Sequence, residues 1–303
     1  MAAEAHTPEI LYPKYFHGPL GNQMYRALED RVEDFTGWQA QAGEPASTFS
    51  GVTVALYSHN DHPAMVERAF DGIQLQAFVD NVETVFVDLE AQTEHRVRAR
   101  GAASMRGGAL GSVAQGRDFR AAILNKCIEM ASYDHVFLMP AHAVMATNVT
   151  LAAAKQQMSV NTLDLPLPVA GVYGVTLPDR NATATERIGA YLMGATNRLR
   201  QGPHPEEAGK AGYLDASCSM VSKAAVKGAG GYPPEYGYGG ADGELGKRLR
   251  QDYIVVEDGT LAVHHTHGFG PVKALRQLLA WRNMNEPRPF DARAWKWHQH
   301  LGI

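Results

Sequence analysis

Histidines carry the densest chemistry in this sequence. FLMPAHAVM, Phe137 to Met145, begins as a buried strand and runs into Pro140, Ala141 and His142, while TLAVHHTHG supplies His264, His265 and His267. Imidazole ligates divalent metals and exchanges protons near neutral pH. If TLAVHHTHG is extended, its period-two alternation sets His265 and His267 on one face and turns His264 away. Two carboxylates stand at element ends: Asp88 in VETVFVDL and Asp242 in DGELGKRLRQ. An aspartate in such places can cap a strand end or a helix N-terminus. Cys127 and Cys218 form no C-x-x-C or Cys/His metal spacing, so no disulfide framework is implied and both read as idle thiols of a reducing compartment.

These residues need elements to hold them. VTVALYS is a β-branched apolar strand followed by His59-Asn60-Asp61-His62-Pro63, where Asp61 is expected to cap and Pro63 to open the helix PAMVERAFDGIQLQ. The alternation continues: VETVFVDL as strand, FRAAILNKCIEMA as helix, HVFLM and LPVAGVYGV as strands. TATERIGAYLMGATNRL then opens with a capping box between Thr183 and Glu186. Strands alternating with helices predict an α/β domain with a mainly parallel sheet covered on both faces. Ligands of such sheets sit at the strands' carboxyl ends, here the loops after Tyr57, Val87 and Met139. Met24, Leu28, Val32 and Phe35 predict an amphipathic helix before the turn-rich boundary Gly43 to Gly51, packed on the domain or on another subunit, so a homo-oligomer is open. PVKALRQLLAWRNM predicts a terminal helix or lid, with Val272, Leu275, Leu279 and Trp281 apolar and Lys273, Arg276 and Arg282 charged.

Composition excludes several classes. The 303 residues, 45% hydrophobic, can bury a substantial core, and 28 Lys+Arg against 32 Asp+Glu leave a net charge of −4 with no basic block to track nucleic acid. No apolar run is long enough to span a bilayer and no secretory signal is legible, so a soluble cytoplasmic protein without a membrane partner is expected. Gly107, Gly108 and Gly111 do not make G-x-G-x-x-G, and neither a P-loop nor a G-x-S-x-G elbow occurs.

Taken together, four segments resemble the family 2 glycosyltransferases of the GT-A fold. VTVALYSHND resembles that family's first strand and turn, with Ser58 and Asn60 in the matching places, and VETVFVDLE its second strand, whose aspartate, here Asp88, would contact the nucleotide base. AAILNKCIEMASYDHVFLM resembles the A-x-x-N-x-G-x-x-x-A helix and following strand, with Asn125 matching and Cys127 replacing glycine. DASCSMVSKAAVKGAGGYPPEYGYGGADGELGKRLRQ resembles the acceptor-side segment, with Asp242 on the catalytic aspartate and Arg248-Leu249 closing the motif. The sequence departs from the family where D-x-D falls on Pro140-Ala141-His142, and where Ala241 replaces the glutamate before the catalytic aspartate.

The resemblance implies a GT-A domain over about residues 51–270 with a Rossmann-like nucleotide-binding half, flanked by an extension, 1–50, and a C-terminal helix or lid, 271–303. It implies an inverting, hexosyltransferase-like enzyme using a nucleotide-sugar, by default a UDP-sugar, and a soluble acceptor such as a secondary metabolite or saccharide. Asp242 would be the base, with Tyr57, Ser58, Asn60, Asp88, Asn125 and Ala141 about the nucleotide. His142 with one of His264, His265 and His267 would stand in for D-x-D as ligands of a divalent metal, Mn or Mg, or a softer ion suited to imidazole. Two alternatives stand: metal-independent transfer with Lys273, Arg276 or Arg282 on the diphosphate, and a nucleotide-binding protein on a repurposed scaffold. Tyr232, Tyr236 and Tyr238 beside Asp242 could stack on a sugar or pack a turn.

Overall fold

The computed structural model describes residues 11, 26, 28–30, 32–33, 49–58, 61–88, 94–106, 119–159, 166–179, 181–192, 195, 198, 201–205, 214–236, 240–268 and 270–274. Asn60, Tyr238, the glycine cluster at 107–111 and the expected contacts Leu275, Arg276, Leu279, Trp281 and Arg282 lie outside them.

Among the described residues, nine strands form one sheet: β1 (Phe49–Ser58), β2 (Val79–Asp88), β3 (Ala103–Arg106), β4 (His135–Pro140), β5 (Val144–Met145), β6 (Val169–Leu177), β7 (His204–Pro205), β8 (Ser219–Ser222) and β9 (Ile254–His264). Their order is β3-β2-β1-β4-β8-β6-β9-β5, with β7 paired to β9 off this path. Helices among the described residues include α1 (Pro63–Gln74), α2 (Glu94–Ala99), α3 (Phe119–Met130), α4 (Thr150–Ser159), α5 (Ala184–Leu192), α6 (Lys223–Gly228) and α7 (Gly240–Leu249).

The sheet is mixed. β1, β2, β3 and β4 run parallel, and β6 pairs parallel with β9, but β8 lies antiparallel between β4 and β6. Two antiparallel steps restore direction, so β6 and β9 point the same way as β1 to β4. Six strand ends therefore face one edge of the sheet, where an open α/β sheet keeps its ligands. The reversal of β8 is invisible in its sequence, because an apolar strand reads the same in either direction.

Alternate residues of β1 fall into different cores. Val52, Val54 and Leu56 pack with Val66, Phe70 and Ile73 of α1 and Leu151 and Ala154 of α4. Ala55 joins Ile123, Leu124 and Cys127 of α3 and Leu245 and Leu249 of α7 on the other face. Helices thus cover both faces, and each fully buried Leu or Ile adds about 1.5–3 kcal/mol to the driving force for folding. Residues 28–30 are helical, and Leu28 is buried with Ala146, Val175, Leu177 and Ala262, which ties part of the N-terminal segment to the far half of the sheet. Val272, expected as an apolar contact, is instead 65% exposed. Among the described residues no helix is long and apolar enough to cross a membrane.

The start of α1 differs from expectation in an informative way. Pro63 does stand in the first turn, but the cap is His62, whose Nδ1 accepts from the Ala64 N–H at 3.3 Å. Asp61 is thereby left for other work. At α5 the expected capping box forms: Thr183 N–H donates to Glu186 Oε2 at 2.8 Å and Glu186 N–H donates to Thr183 Oγ1 at 3.2 Å.

Away from these strand ends, one carboxylate joins three segments. Glu83 accepts from Thr53 Oγ1 at 2.7 Å, from Ser132 N–H at 2.7 Å and from Ser132 Oγ at 2.6 Å. Partial burial opposes its charge, but these hydrogen bonds outweigh burial and hold the carboxyl below its ordinary value. A depressed folded value means that the stabilisation is present above the ordinary carboxylate range and is lost as pH falls through the folded value. Glu83→Gln is expected to cost about 1–2 kcal/mol at pH 7, with the gap to the parent shrinking in acid; urea denaturation at two pH values measures both.

Candidate active site

The pairing of β1 with β4 builds the first part of the site. Tyr57 lies opposite Pro140, and Ala141 N–H donates to the Tyr57 carbonyl at 2.8 Å, so the ladder runs one residue beyond the strand before the chain turns at His142. Ala143 N–H then bonds back to the Pro140 carbonyl at 2.9 Å. This tight turn aims His142 across the ends of the strands. Pro140, unable to donate from its nitrogen, sits where the ladder is about to stop.

His142 meets two other imidazoles. Its Nε2 lies 2.8 Å from His265 Nε2, its ring centroid is 5.0 Å from that of His267, and the His265 and His267 rings are 4.4 Å apart. One nitrogen from each of the three falls within 4.8 Å of the others. His142 Nδ1 lies 2.8 Å from Asp61 Oδ1, and Ser58 Oγ accepts from the Asp61 N–H at 3.3 Å. Ser58, expected at the nucleotide, therefore also shapes the loop that carries Asp61.

The surrounding protein disfavours charge on His265 and His267. Burial pushes His267 down to about 3, with the His142 charge adding to it. Burial also places His265 well below the ordinary imidazole value, assisted by the charges of His267, His142 and Arg120. Burial opposes ionisation of Asp61, yet contact with His142 outweighs it and holds that carboxyl below its usual value. Neutral imidazoles have lone pairs to offer, and three nitrogen donors converging on one point fit a divalent cation.

His264 does not belong to the cluster. It is buried on the opposite side of β9, its Nδ1 3.4 Å from the Pro178 carbonyl oxygen. Of the histidines expected beside His142, His265 and His267 meet it and His264 does not. β9 ends at His264, and the two residues that converge lie in the loop just past it.

A second cluster stands beside the first. Arg120, in the first turn of α3, places Nη2 3.2 Å from Asp242 Oδ2, 3.4 Å from Tyr57 Oη and 3.5 Å from Ser217 Oγ, with the guanidinium 5.8 Å from the Tyr57 ring centroid. Asp242 is the third residue of α7 rather than its cap, and it is 1% exposed. Its charge in the first turn suits the positive end of the helix dipole. Tyr232 is buried beside it, and burial followed by the Asp242 charge raises the phenol well above its ordinary value, so the hydroxyl keeps its proton. Because Arg120 also acts electrostatically on His265, the two clusters share one electrostatic environment.

The remaining expected residues divide. Asp88 closes β2, buried, with Ser58 and Arg106 as its backbone neighbours across the three strand ends. Ala141 is fully buried with its N–H in the ladder. Asn125 is a clamp: its Nδ2 donates to the Tyr232 carbonyl at 2.8 Å and its Oδ1 accepts from the Tyr232 N–H at 2.8 Å. Gly231, at φ +76°, leaves no room for a Cβ, which would lie 2.6 Å from Asn125 Oδ1. Asn125 thus holds the Gly-Gly-Tyr turn that places Tyr232 beside Asp242.

Arg120, Asp61 and Glu186 were not singled out by sequence as members of the site. Arg120 carried one legible signal: it precedes Ile123 and Leu124 by a helical turn, so it shares the buried face of α3, where an unpaired cation is costly.

No protein-family model matches the sequence, and no curated protein sequence matches it either. Among solved structures, the chain is similar to the mannosyltransferase PcManGT from Pyrobaculum calidifontis in complex with GDP-Man and Mn2+, with a TM-score of 0.53 and 16% identity over 85% of this chain and 72% of that one. Together with the observed strand order and the helices on both faces, that likeness gives this chain the α/β fold of a GT-A glycosyltransferase structure.

Proposed function

We propose that this protein transfers a glycosyl unit from a nucleotide-sugar to an acceptor hydroxyl at the carboxyl edge of the sheet. The observation that carries the reading is the meeting, on a GT-A fold, of the Arg120–Asp242 pair with the imidazole cluster at the tips of β1, β4 and β9. The similar mannosyltransferase binds GDP-Man and Mn2+, which supports a nucleoside diphosphate sugar as donor class without fixing its base.

In this reading Asp242 accepts the acceptor's proton. The acceptor oxygen bonds to the anomeric carbon from the side opposite the diphosphate, the anomeric carbon–oxygen bond to phosphate breaks, and the nucleoside diphosphate leaves with that electron pair, inverting the centre. Arg120 would exchange Asp242 for developing phosphate charge, releasing the carboxylate as the donor settles. Tyr57 and Ser58 border the nucleotide, and Asp88 accepts from its base or ribose. A divalent cation held by His142, His265 and His267 would supply positive charge to the leaving diphosphate.

Thermal melts with GDP and UDP, each with and without divalent ions, test the donor class. A nucleoside diphosphate at 100 times its dissociation constant should stabilise the fold by about 2.7 kcal/mol. Melts indifferent to both would remove the nucleotide from the reading.

A further inference from the structure

We propose that His142, His265 and His267 form a three-imidazole centre selective for a borderline divalent cation of the zinc class, held in shape by two carboxylates, Asp61 and Glu186, that do not themselves bind the ion.

The three rings come from two loops, one beyond β4 and one beyond β9, and meet with one nitrogen each within 4.8 Å. All three donors are nitrogen. Magnesium demands near-octahedral oxygen and releases water reluctantly, so this donor set serves it poorly, whereas imidazole suits zinc, cobalt and nickel. Three protein ligands also leave a position open, as in catalytic rather than structural zinc sites.

The two carboxylates act from behind. Asp61 Oδ1 sits 2.8 Å from His142 Nδ1. A carboxylate there favours the tautomer with hydrogen on Nδ1, which directs the Nε2 lone pair toward the other two rings. His142 Nε2 and His265 Nε2 face each other at 2.8 Å, a pair that must either share a proton or bind a cation between them. Glu186 Oε1 accepts from the backbone N–H of His267 at 2.8 Å while its Oε2 closes the capping box of α5. The third ligand is thereby fixed to a helix terminus. This also accounts for Asp61, which the cap of α1 does not use because His62 takes that place.

Where the family that the sequence resembles has D-x-D, this chain thus offers a different ligand class at Pro140-Ala141-His142. What occupies the open position rests on the proposed transfer reaction, where a donor phosphate oxygen would enter. The centre itself stands without that reaction.

The test uses the full chain, stripped with chelator and reloaded. Cobalt(II) titration followed by visible absorption should give one equivalent with the intense bands of four- or five-coordinate nitrogen ligation. Competition against a chromogenic chelator should show zinc bound at least 10³-fold more tightly than magnesium, on the order expected for imidazole ligands. His142→Gln and His267→Gln should each weaken zinc by 10²-fold or more, and Asp61→Asn by about 10–100-fold. His204→Ala, at β7 beside Glu257, should change nothing. Circular dichroism confirms that each variant is folded; a variant that is not is replaced by the other ligand's substitution.

Folded parent protein that takes up no stoichiometric cobalt or zinc overturns the proposal. So does undiminished affinity in both histidine variants, and magnesium binding as tight as zinc overturns the selectivity. A chain that binds zinc in this way but moves no sugar keeps the centre and loses the transferase reading, so the two failures are separable.

Discussion

Asp242→Asn is expected to lower the turnover number for sugar transfer by about 10²–10⁴-fold, the usual contribution of a positioned base, while nucleoside diphosphate binding stays within a few-fold of the parent. Asparagine keeps the size of the side chain and can still accept a hydrogen bond from Arg120 through its amide oxygen, but it cannot take a proton from an acceptor. The burial of Asp242 makes a second measurement necessary. Because the carboxylate is 1% exposed and 3.2 Å from Arg120, part of its value is structural. Removing its charge leaves a buried guanidinium with less compensation, at a cost of up to about 3–5 kcal/mol. Single-turnover rates normalised to the folded fraction separate the roles: a base loses rate in protein that is fully folded, whereas a purely structural aspartate loses activity only in proportion to unfolding. Preserved turnover in folded Asp242→Asn removes the assigned base.

How much of this was legible follows from the range of each interaction. Strand and helix alternation, Pro63 in the first turn of α1 and the Thr183–Glu186 capping box are local patterns, and the structure repeats them. A helix start near Asp242 was local too, although α7 begins at Gly240 and takes Asp242 into its first turn instead of using it as the cap. The Asp61–His142 contact was not, because it exists only when β1 and β4 pair in parallel with Tyr57 opposite Pro140. Read locally, Asp61 before Pro63 resembles a cap, and nothing nearby tells that His62 takes that work.

The histidines of TLAVHHTHG show the same boundary. Alternation correctly turned His264 from its neighbours, yet the choice of partner for His142 depended on where β9 stops and the loop begins. Glu186 appeared as one half of a local cap, while its second oxygen reaches the backbone of His267, far along the chain. Arg120 is the clearest miss. A cation on an apolar helix face announces that some partner exists, but only the packing of α3 against α7 names Asp242.

Arg120→Met tests that pairing from the other side and should be among the most destabilising single changes in the chain, costing about 3–5 kcal/mol at neutral pH. Methionine fills much of the volume but strands Asp242 as a buried carboxylate without its cation, beside a Tyr232 hydroxyl that is also buried. The sign of the pH effect follows: acid neutralises the stranded carboxylate, so the deficit relative to the parent should narrow as pH falls, whereas Arg120 acting only through packing would leave a deficit independent of pH. Arg120→Met with Asp242→Leu should recover most of the stability, because an apolar pair can replace a buried ion pair when both charges leave together. It should not recover transfer, since the proposed base and the cation proposed to face the phosphate are then both gone. Denaturation of the two single variants and the double variant yields the coupling energy, and transfer assays on the same samples show whether that energy serves only folding. A coupling near zero would mean that Arg120 and Asp242 do not depend on each other, and the exchange of Asp242 for donor phosphate that the proposed mechanism asks of Arg120 would lose its basis.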